Sequence, residues 1–357
     1  MRIALDAMGG ERGPEEMVAG AIQAVEESDL DVALIGDENV LNRILQNQPL
    51  ASSRLHIVHA SQIVSMDESP FDAIRKKKDS SISRAFEQIK NGEADGVVSA
   101  GNSGATMASA IKSLGRLENI ARPGIASIFP TLKKPLVMMD VGANVDCRPQ
   151  HLFQFGVMGS AFSDNLFKIR KPSIGLLSIG EEGGKGNVLV KSAHELFRKS
   201  SLNFIGNVEG RDIFQGDVDV IVCDGFVGNV CLKVSEGLAE AIIAMLRTEM
   251  SKSFMAKIGY LLAKQAFNNF GKRVDYSEYG GAPLLGINGT GIVCHGRSNA
   301  KAIKNAIRVA AEMIRSRVNG HIMQLLSESN PAQAKEVQEG SGADQKSGET
   351  EWPVEQK

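Results

Sequence analysis

Between Gly180 and Asn187 the chain reads Gly-Glu-Glu-Gly-Gly-Lys-Gly-Asn, a glycine-rich turn carrying a single lysine. An apolar run over 175–179 precedes it and an amphipathic run over 188–199 follows, so the pattern predicts strand, turn and helix. Such a turn aims backbone N–H groups and a helix N-terminus at one point, which makes Gly184, Lys185 and Gly186 candidates for an anion cradle with phosphate as the natural occupant. The nucleotide P-loop needs four residues between its glycines and a Ser or Thr after the lysine. Gly186 follows Lys185 here, which disfavours ATP hydrolysis.

Related turns recur after other short apolar runs: at 6–10, 99–104, 140–144, 224–229 and 295–298. Gly101, Asn102, Ser103 and Gly104 from the second, and Gly142, Ala143 and Asn144 from the third, are candidate phosphate or substrate contacts. They equally suit glycines that merely close tight turns. His295 is the only histidine beside a glycine turn at an expected helix start. It suits either orientation of an anion and proton transfer or a plain hydrogen bond. Cys294 adjoins it, but neighbouring strand residues face opposite ways, so the two do not form a dyad, and Cys294 and Cys223 read as small core residues. The scattered histidines and unpaired cysteine spacing give no structural zinc signature, and no metal or cofactor is called for.

The elements that position these turns alternate. Strands are expected at 2–6, 32–36, 55–58, 96–99, 135–140, 174–179 and 218–223. Helices are expected at 14–27, 81–91, 104–114, 151–167 and 188–199, with one from near 230 to about 250 and a last one at 300–318. This rhythm describes an α/β fold whose ligand crevice lies at the carboxyl ends of the strands. Residues 1–326 are expected to form one catalytic domain. From Ser327 the chain becomes rich in Ser, Glu, Gln, Gly and Lys, and 327–357, including Trp352, is expected to be a disordered tail.

The 357 residues, 43% hydrophobic and 23% charged, suit a globular protein, and the net charge of −2 gives no electrostatic footprint for nucleic acid. No secretory signal opens the chain and no run of about 18 apolar residues occurs, which points to a cytoplasmic protein that does not span a membrane. Residues 251–273 interrupt the alternation with a helical segment in which Phe254, Met255, Ile258, Leu261 and Leu262 share a broad face. That face suits core packing, a dimer contact or a membrane surface.

Taken in order, Leu5-Asp6-Ala7-Met8-Gly9-Gly10, Ser99-Ala100-Gly101-Asn102, Asp140-Val141-Gly142-Ala143-Asn144, Gly206-Asn207-Val208-Glu209-Gly210-Arg211-Asp212, Cys223-Asp224-Gly225-Phe226-Val227-Gly228-Asn229 and Tyr279-Gly280-Gly281-Ala282-Pro283-Leu284-Leu285-Gly286 resemble the bacterial phosphate acyltransferase (PlsX) family from 2 to about 319. The resemblance implies transfer of a fatty acyl group from acyl carrier protein to inorganic phosphate. The product would be an acyl phosphate for a membrane glycerol-phosphate acyltransferase. It also implies a homodimer, peripheral association with the inner face of the cell membrane, and a three-layer α/β/α fold with a mostly parallel sheet, akin to isocitrate dehydrogenase and phosphotransacetylase, with a protruding helical segment. Glu11, Ser103 and Ser178 stand where the family usually has Asp, Thr and Asn, and Ser178 adjoins the lysine turn.

Attack of phosphate on a thioester needs an anion site, a donor for the developing oxyanion and an apolar slot for the chain. It need not need a base, because phosphate is largely dianionic near neutrality and a thiol with a pKa of about 8.5 leaves readily. Lys185 is the candidate cation, against the alternative of a solvated loop lysine. Asn229 is the candidate oxyanion donor, against helix N-capping. The run Arg75-Lys76-Lys77-Lys78 suits a solvated helix face or docking of the acidic carrier protein. Rival readings are a phosphotransacetylase-like enzyme using acyl coenzyme A and a non-catalytic membrane-associated scaffold. A dehydrogenase is opposed by the absence of G-x-G-x-x-G after any strand.

Overall fold

The computed structural model describes residues 1–46, 53–274 and 276–329. Eleven strands form one sheet: β1 (Arg2–Asp6), β2 (Asp31–Gly36), β3 (Leu55–His59), β4 (Gly96–Ser99), β5 (Gly124–Phe129), β6 (Leu136–Met139), β7 (Ile174–Leu177), β8 (Phe204–Val208), β9 (Val220–Val222), β10 (Ala282–Leu285) and β11 (Gly291–Val293), in the order β3-β2-β1-β4-β11-β10-β5-β6-β9-β7-β8. The helices are α1 (Pro14–Glu27), α2 (Glu38–Leu45), α3 (Pro70–Lys76), α4 (Ser81–Lys90), α5 (Ser103–Leu114), α6 (Pro149–Phe167), α7 (Val188–Arg198), α8 (Gly225–Ser251), α9 (Phe254–Leu262), α10 (Lys264–Val274), α11 (Ala300–Arg315) and α12 (Val318–Ser329).

Alternation along the strands builds the three layers. Ile3 and Leu5 of β1 enter one core with α1, α6, α7 and α11, while Ala4 enters the other with α3, α4 and α5. α1 forms because Pro14 opens it, Glu15 and Glu16 complement its N-terminal dipole, and Met17, Val18, Ala21, Ala24 and Val25 recur on one face. Gly20 lets α11 approach closely, since a Cβ there would stand 2.6 Å from the Cβ of Ile303. Phe197 of α7 stacks on Phe204 with ring centroids 5.0 Å apart and tilts against Phe153 at 5.5 Å, each pair adding about 0.5–1.5 kcal/mol beyond burial.

Sheet polarity changes partway across the sheet. β3, β2, β1, β4 and β11 are mutually parallel, as are β6, β9, β7 and β8, but β10 pairs antiparallel with β11 and β5, and β5 pairs antiparallel with β6. The two parallel halves therefore run in opposite directions. The glycine turns of the two halves thus follow strands of opposite direction, yet the start of α5 after β4 and the turn after β6 reach a common cavity.

Three further corrections concern helices. The helix expected from about 230 starts at Gly225 with Asp224 as its N-cap, its side chain accepting the Val227 N–H at 2.9 Å. The segment 251–273 is broken into the end of α8, α9 and α10, and no residue of α9 is buried. The last helix divides into α11 and α12, and α12 carries the chain as far as Ser329, so the first three residues assigned to the tail are helical. The rest of that assignment, with Trp352, lies outside the described residues.

Candidate active site

The turn after β6 is built around one carboxylate. Asp140 Oδ1 accepts N–H donors from Ile125 at 3.0 Å and Ala143 at 3.2 Å, and Oδ2 accepts the Asn144 N–H at 2.7 Å and its side-chain amide at 2.9 Å. Asp140 is fully buried, and burial pushes its carboxyl above the usual range. Its four donors offset the loss of water. The Asn144 amide also donates to Pro123 O at 2.8 Å. Ala143 and Asn144 therefore turn these donors inward to Asp140.

The start of α8 is pressed against this turn. A Cβ on Gly225 would lie 2.7 Å from the Asn144 carbonyl oxygen, and one on Gly228 would lie 1.9 Å from that of Asp140. Spaced i, i+3, the two glycines share a helix face, and only residues without side chains admit such an approach. Asn229 is thereby set beside Gly142, where a Cβ would stand 3.5 Å from Asn229 Oδ1. Because Asp224 is the cap, Asn229 lies inside the helix and is not an N-cap. Its amide is exposed and has no hydrogen-bond partner among the described residues.

A cavity of about 260 Å³ adjoins this turn, lined by Gly142 and Ala143, by Ile125, and by Pro70 and the α5 stripe Ser103, Gly104, Met107, Ala108 and Ile111. Four of the residues singled out in the sequence thus meet in one place. Gly101 and Asn102 stand behind it in structural roles. The Gly101 N–H donates to Ser99 Oγ at 3.1 Å, while Asn102 caps α5 through the Ala105 N–H at 3.0 Å and donates its amide to the carbonyls of Met66 and Glu68, each at 2.9 Å.

The lysine turn occupies the same edge two strands away and is not part of the cavity wall. Gly186 has φ +99°, and a Cβ there would meet Val190 at 2.7 Å, so both conformation and space require glycine. Asn187 caps α7 by accepting the Val190 N–H at 2.9 Å. Asn207 donates to the Glu182 carbonyl at 2.9 Å, and Arg211 pairs with Glu181 at 2.9 Å, so the 206–212 motif serves to hold this turn. Lys185 is exposed and makes no ion pair among the described residues. Ser178 Oγ, at the base of the turn, is buried without a partner.

In the other half of the sheet, the turns after β1, β4 and β11 converge. Asp6 Oδ2 accepts Ser99 Oγ at 2.7 Å, and Gly10 approaches both Ala100 and the Gly296 carbonyl, each 3.3 Å from an added Cβ. His295 Nδ1 accepts the Arg297 N–H at 3.1 Å, so it helps to shape this turn. The basic run is divided in the same way. Lys77 donates to the Ile63 carbonyl at 2.6 Å and pairs closely with Glu68, whose carboxyl its hydrogen bond holds down to about 2. It therefore latches a loop, whereas Arg75, Lys76 and Lys78 remain exposed. Burial raises all four thiols, Cys223 well above the usual range and Cys294 to about 12, which makes neither a nucleophile.

A sequence model of the family described as fatty acid synthesis protein matches residues 1–321. The phosphate acyltransferase of Geotalea daltonii is 52% identical over 338 residues, covering 95% of this chain and 98% of that protein. That of Citrifermentans bemidjiense is 53% identical over 343 residues, covering 96% and 97%. In fold the chain is similar to a phosphotransacetylase from Streptococcus pyogenes, with a TM-score of 0.60 at 18% identity over 88% of this chain and 94% of that one. The chain belongs to the phosphate acyltransferase family of fatty acid synthesis proteins and is an acyltransferase.

Proposed function

We propose that this enzyme transfers a fatty acyl group from acyl carrier protein to inorganic phosphate. The product, an acyl phosphate, would pass to a membrane glycerol-phosphate acyltransferase. The observation that carries the reading is the uncommitted amide of Asn229, held beside Gly142 at the end of an uncharged cavity. A dianionic phosphate oxygen attacks the thioester carbon, the carbonyl oxygen gains the negative charge, and the Asn229 amide donates to it. Collapse breaks the C–S bond and releases thiolate, so no base is required and no protein thiol is acylated. Lys185 binds the phosphate and screens its approach. Release of carrier thiol with and without phosphate, trapping the acyl phosphate with hydroxylamine, tests this. Phosphate-independent release, or activity confined to acyl coenzyme A, would overturn it.

Arg75, Lys76 and Lys78 supply an exposed basic surface for an acidic carrier. The homodimer is supported by α8, on which Phe226, Val230, Val234, Leu238, Ile242 and Met245 form an exposed apolar stripe at helical spacing, while only Gly225 and Gly228 are buried. A charge in that seam is expected to separate the subunits: Leu238→Glu should sediment as a monomer where the unsubstituted chain is a dimer, and identical sedimentation would remove α8 as the interface.

Peripheral association with the inner face of the cell membrane rests on α9, whose Phe254, Met255, Leu261 and Leu262 are at least 68% exposed. No described helix is long and apolar enough to cross a membrane. Flotation with anionic liposomes should recover the unsubstituted protein and lose Leu261→Glu by at least about threefold, since burying one such side chain is worth ~1.5 kcal/mol or more. Equal recovery would assign α9 to a protein contact instead.

A further inference from the structure

We propose that the cavity beside Gly142 receives the hydrocarbon tail of the acyl group and that Ala108 and Ile111 of α5 gauge its length. This rests on the acyl-transfer reading above and adds to it the residues that select the chain. None of the nine lining residues is charged, and the only polar side chain among them is the Ser103 hydroxyl, so no lining side chain can pair with a phosphate. Its wall is hydrocarbon: Pro70, Met107, Ala108, Ile111 and Ile125. Such a surface takes a ligand that gains by leaving water.

Placement agrees with composition. One end of the cavity is formed by Gly142 and Ala143, next to the Asn229 amide assigned to the thioester carbonyl, so a chain attached at that carbonyl has the cavity directly before it. The α5 stripe recurs at i, i+4 and i+8 through Ser103, Met107 and Ile111, with Gly104 and Ala108 beside it. These residues flank the tail along its length. Beyond the cavity, Phe71 follows Pro70 and Val145 follows the 142–144 turn; both are exposed apolar side chains that would meet a chain extending out of it.

Volume sets the gauge. At about 30 Å³ for each group the size of a water or methylene, the 260 Å³ cavity seats roughly eight or nine carbons. Met107 is flexible and can yield to a longer tail, whereas a side chain enlarged at Ala108 would occupy the space itself. Ala108→Leu adds three carbons to the wall, and Ile111→Ala removes three.

The test compares kcat/KM for long-chain and medium-chain acyl carrier protein, with thermal melting to establish folding. Each methylene that loses its apolar seat is worth about fourfold. Ala108→Leu is expected to lower the long-to-medium ratio by at least about tenfold, and Ile111→Ala to raise it by at least about twofold. A purely structural role for α5 would lower both rates together and leave the ratio unmoved. Folded variants with the unsubstituted ratio overturn the gauge, and if Ala108→Leu does not fold, the ratio for Ile111→Ala decides alone. An unsubstituted enzyme that releases thiol from neither substrate overturns the acyl-transfer reading, and the gauge with it; an active enzyme with unmoved ratios overturns the gauge only.

Discussion

Gly228→Ala should reduce turnover by at least about a hundredfold, the scale of loss expected when reacting groups are displaced by about 1 Å. The added methyl would have to occupy a point 1.9 Å from the Asp140 carbonyl oxygen and 2.9 Å from Cys223 Sγ. Neither neighbour can rotate away: the first is backbone and the second is buried. α8 must therefore lift from the turn, and Asn229 follows immediately after Gly228, so the oxyanion donor moves with it. Overpacking of this kind costs about 1–3 kcal/mol or more, so melting should fall as well. Gly237→Ala separates this effect from helix propensity. It lies in the same helix with nothing within 4 Å of an added Cβ, and should be neutral or stabilising by up to ~1 kcal/mol. Comparable losses in both variants would show that close approach at 228 is not what positions the donor.

That contrast also explains what could be read from the chain alone. Gly225 and Gly228 look like the other glycines of their turns, and their i, i+3 spacing signals a close contact only once a helix is known to begin at 225. Read alone, the Gly-Phe-Val-Gly-Asn run resembles a loop and puts the helix start near 230; Asp224, a strong N-capping type, is the signal that marks the true start. Asp140 escaped notice for a related reason. A carboxylate at a strand end is the same letter whether it faces water or, as here, gathers four donors beneath a turn.

Polarity was the larger omission. The β1, β4, β6, β7 and β9 runs are short, apolar and followed by glycine turns, so they are legible as strands. β5 and β10 were not assigned. β5 lacks a turn that marks its function, and β10 contains Pro283, which speaks against a central strand. β10 accommodates it because its ladder with β5 begins only at Leu284, past the proline. Period-2 patterning carries no direction, so the antiparallel pairings that reverse the sheet between its two halves could not be read from it. Composition likewise could not separate Lys77, tied back to Glu68 nine residues earlier, from its exposed neighbours.

Lys185→Ala is expected to lower kcat/KM for phosphate by at least about tenfold, with no change in melting temperature. The second half follows from exposure: an exposed side chain with no ion pair among the described residues contributes little to folding. The first half depends on how dry the turn becomes. In bulk water a unit charge 4 Å from another is worth only about 1 kcal/mol, or some fivefold, whereas in an environment of effective dielectric near 20 it is worth about 4 kcal/mol. A fall near fivefold would therefore describe a lysine that steers phosphate through solvent. A fall of tenfold or more requires that carrier, substrate or a second subunit cover the turn during reaction, which is what Ile179 and Val188, both 83% exposed at its two ends, are placed to permit. Near-unchanged rates would remove Lys185 from the phosphate site and leave the turn as a scaffold for α7. Lys185→Arg distinguishes a point charge from a fitted one: the guanidinium keeps the charge but not the compact ammonium geometry, so recovery of most activity would assign the residue to electrostatic screening, and persistent loss to direct coordination of the attacking phosphate.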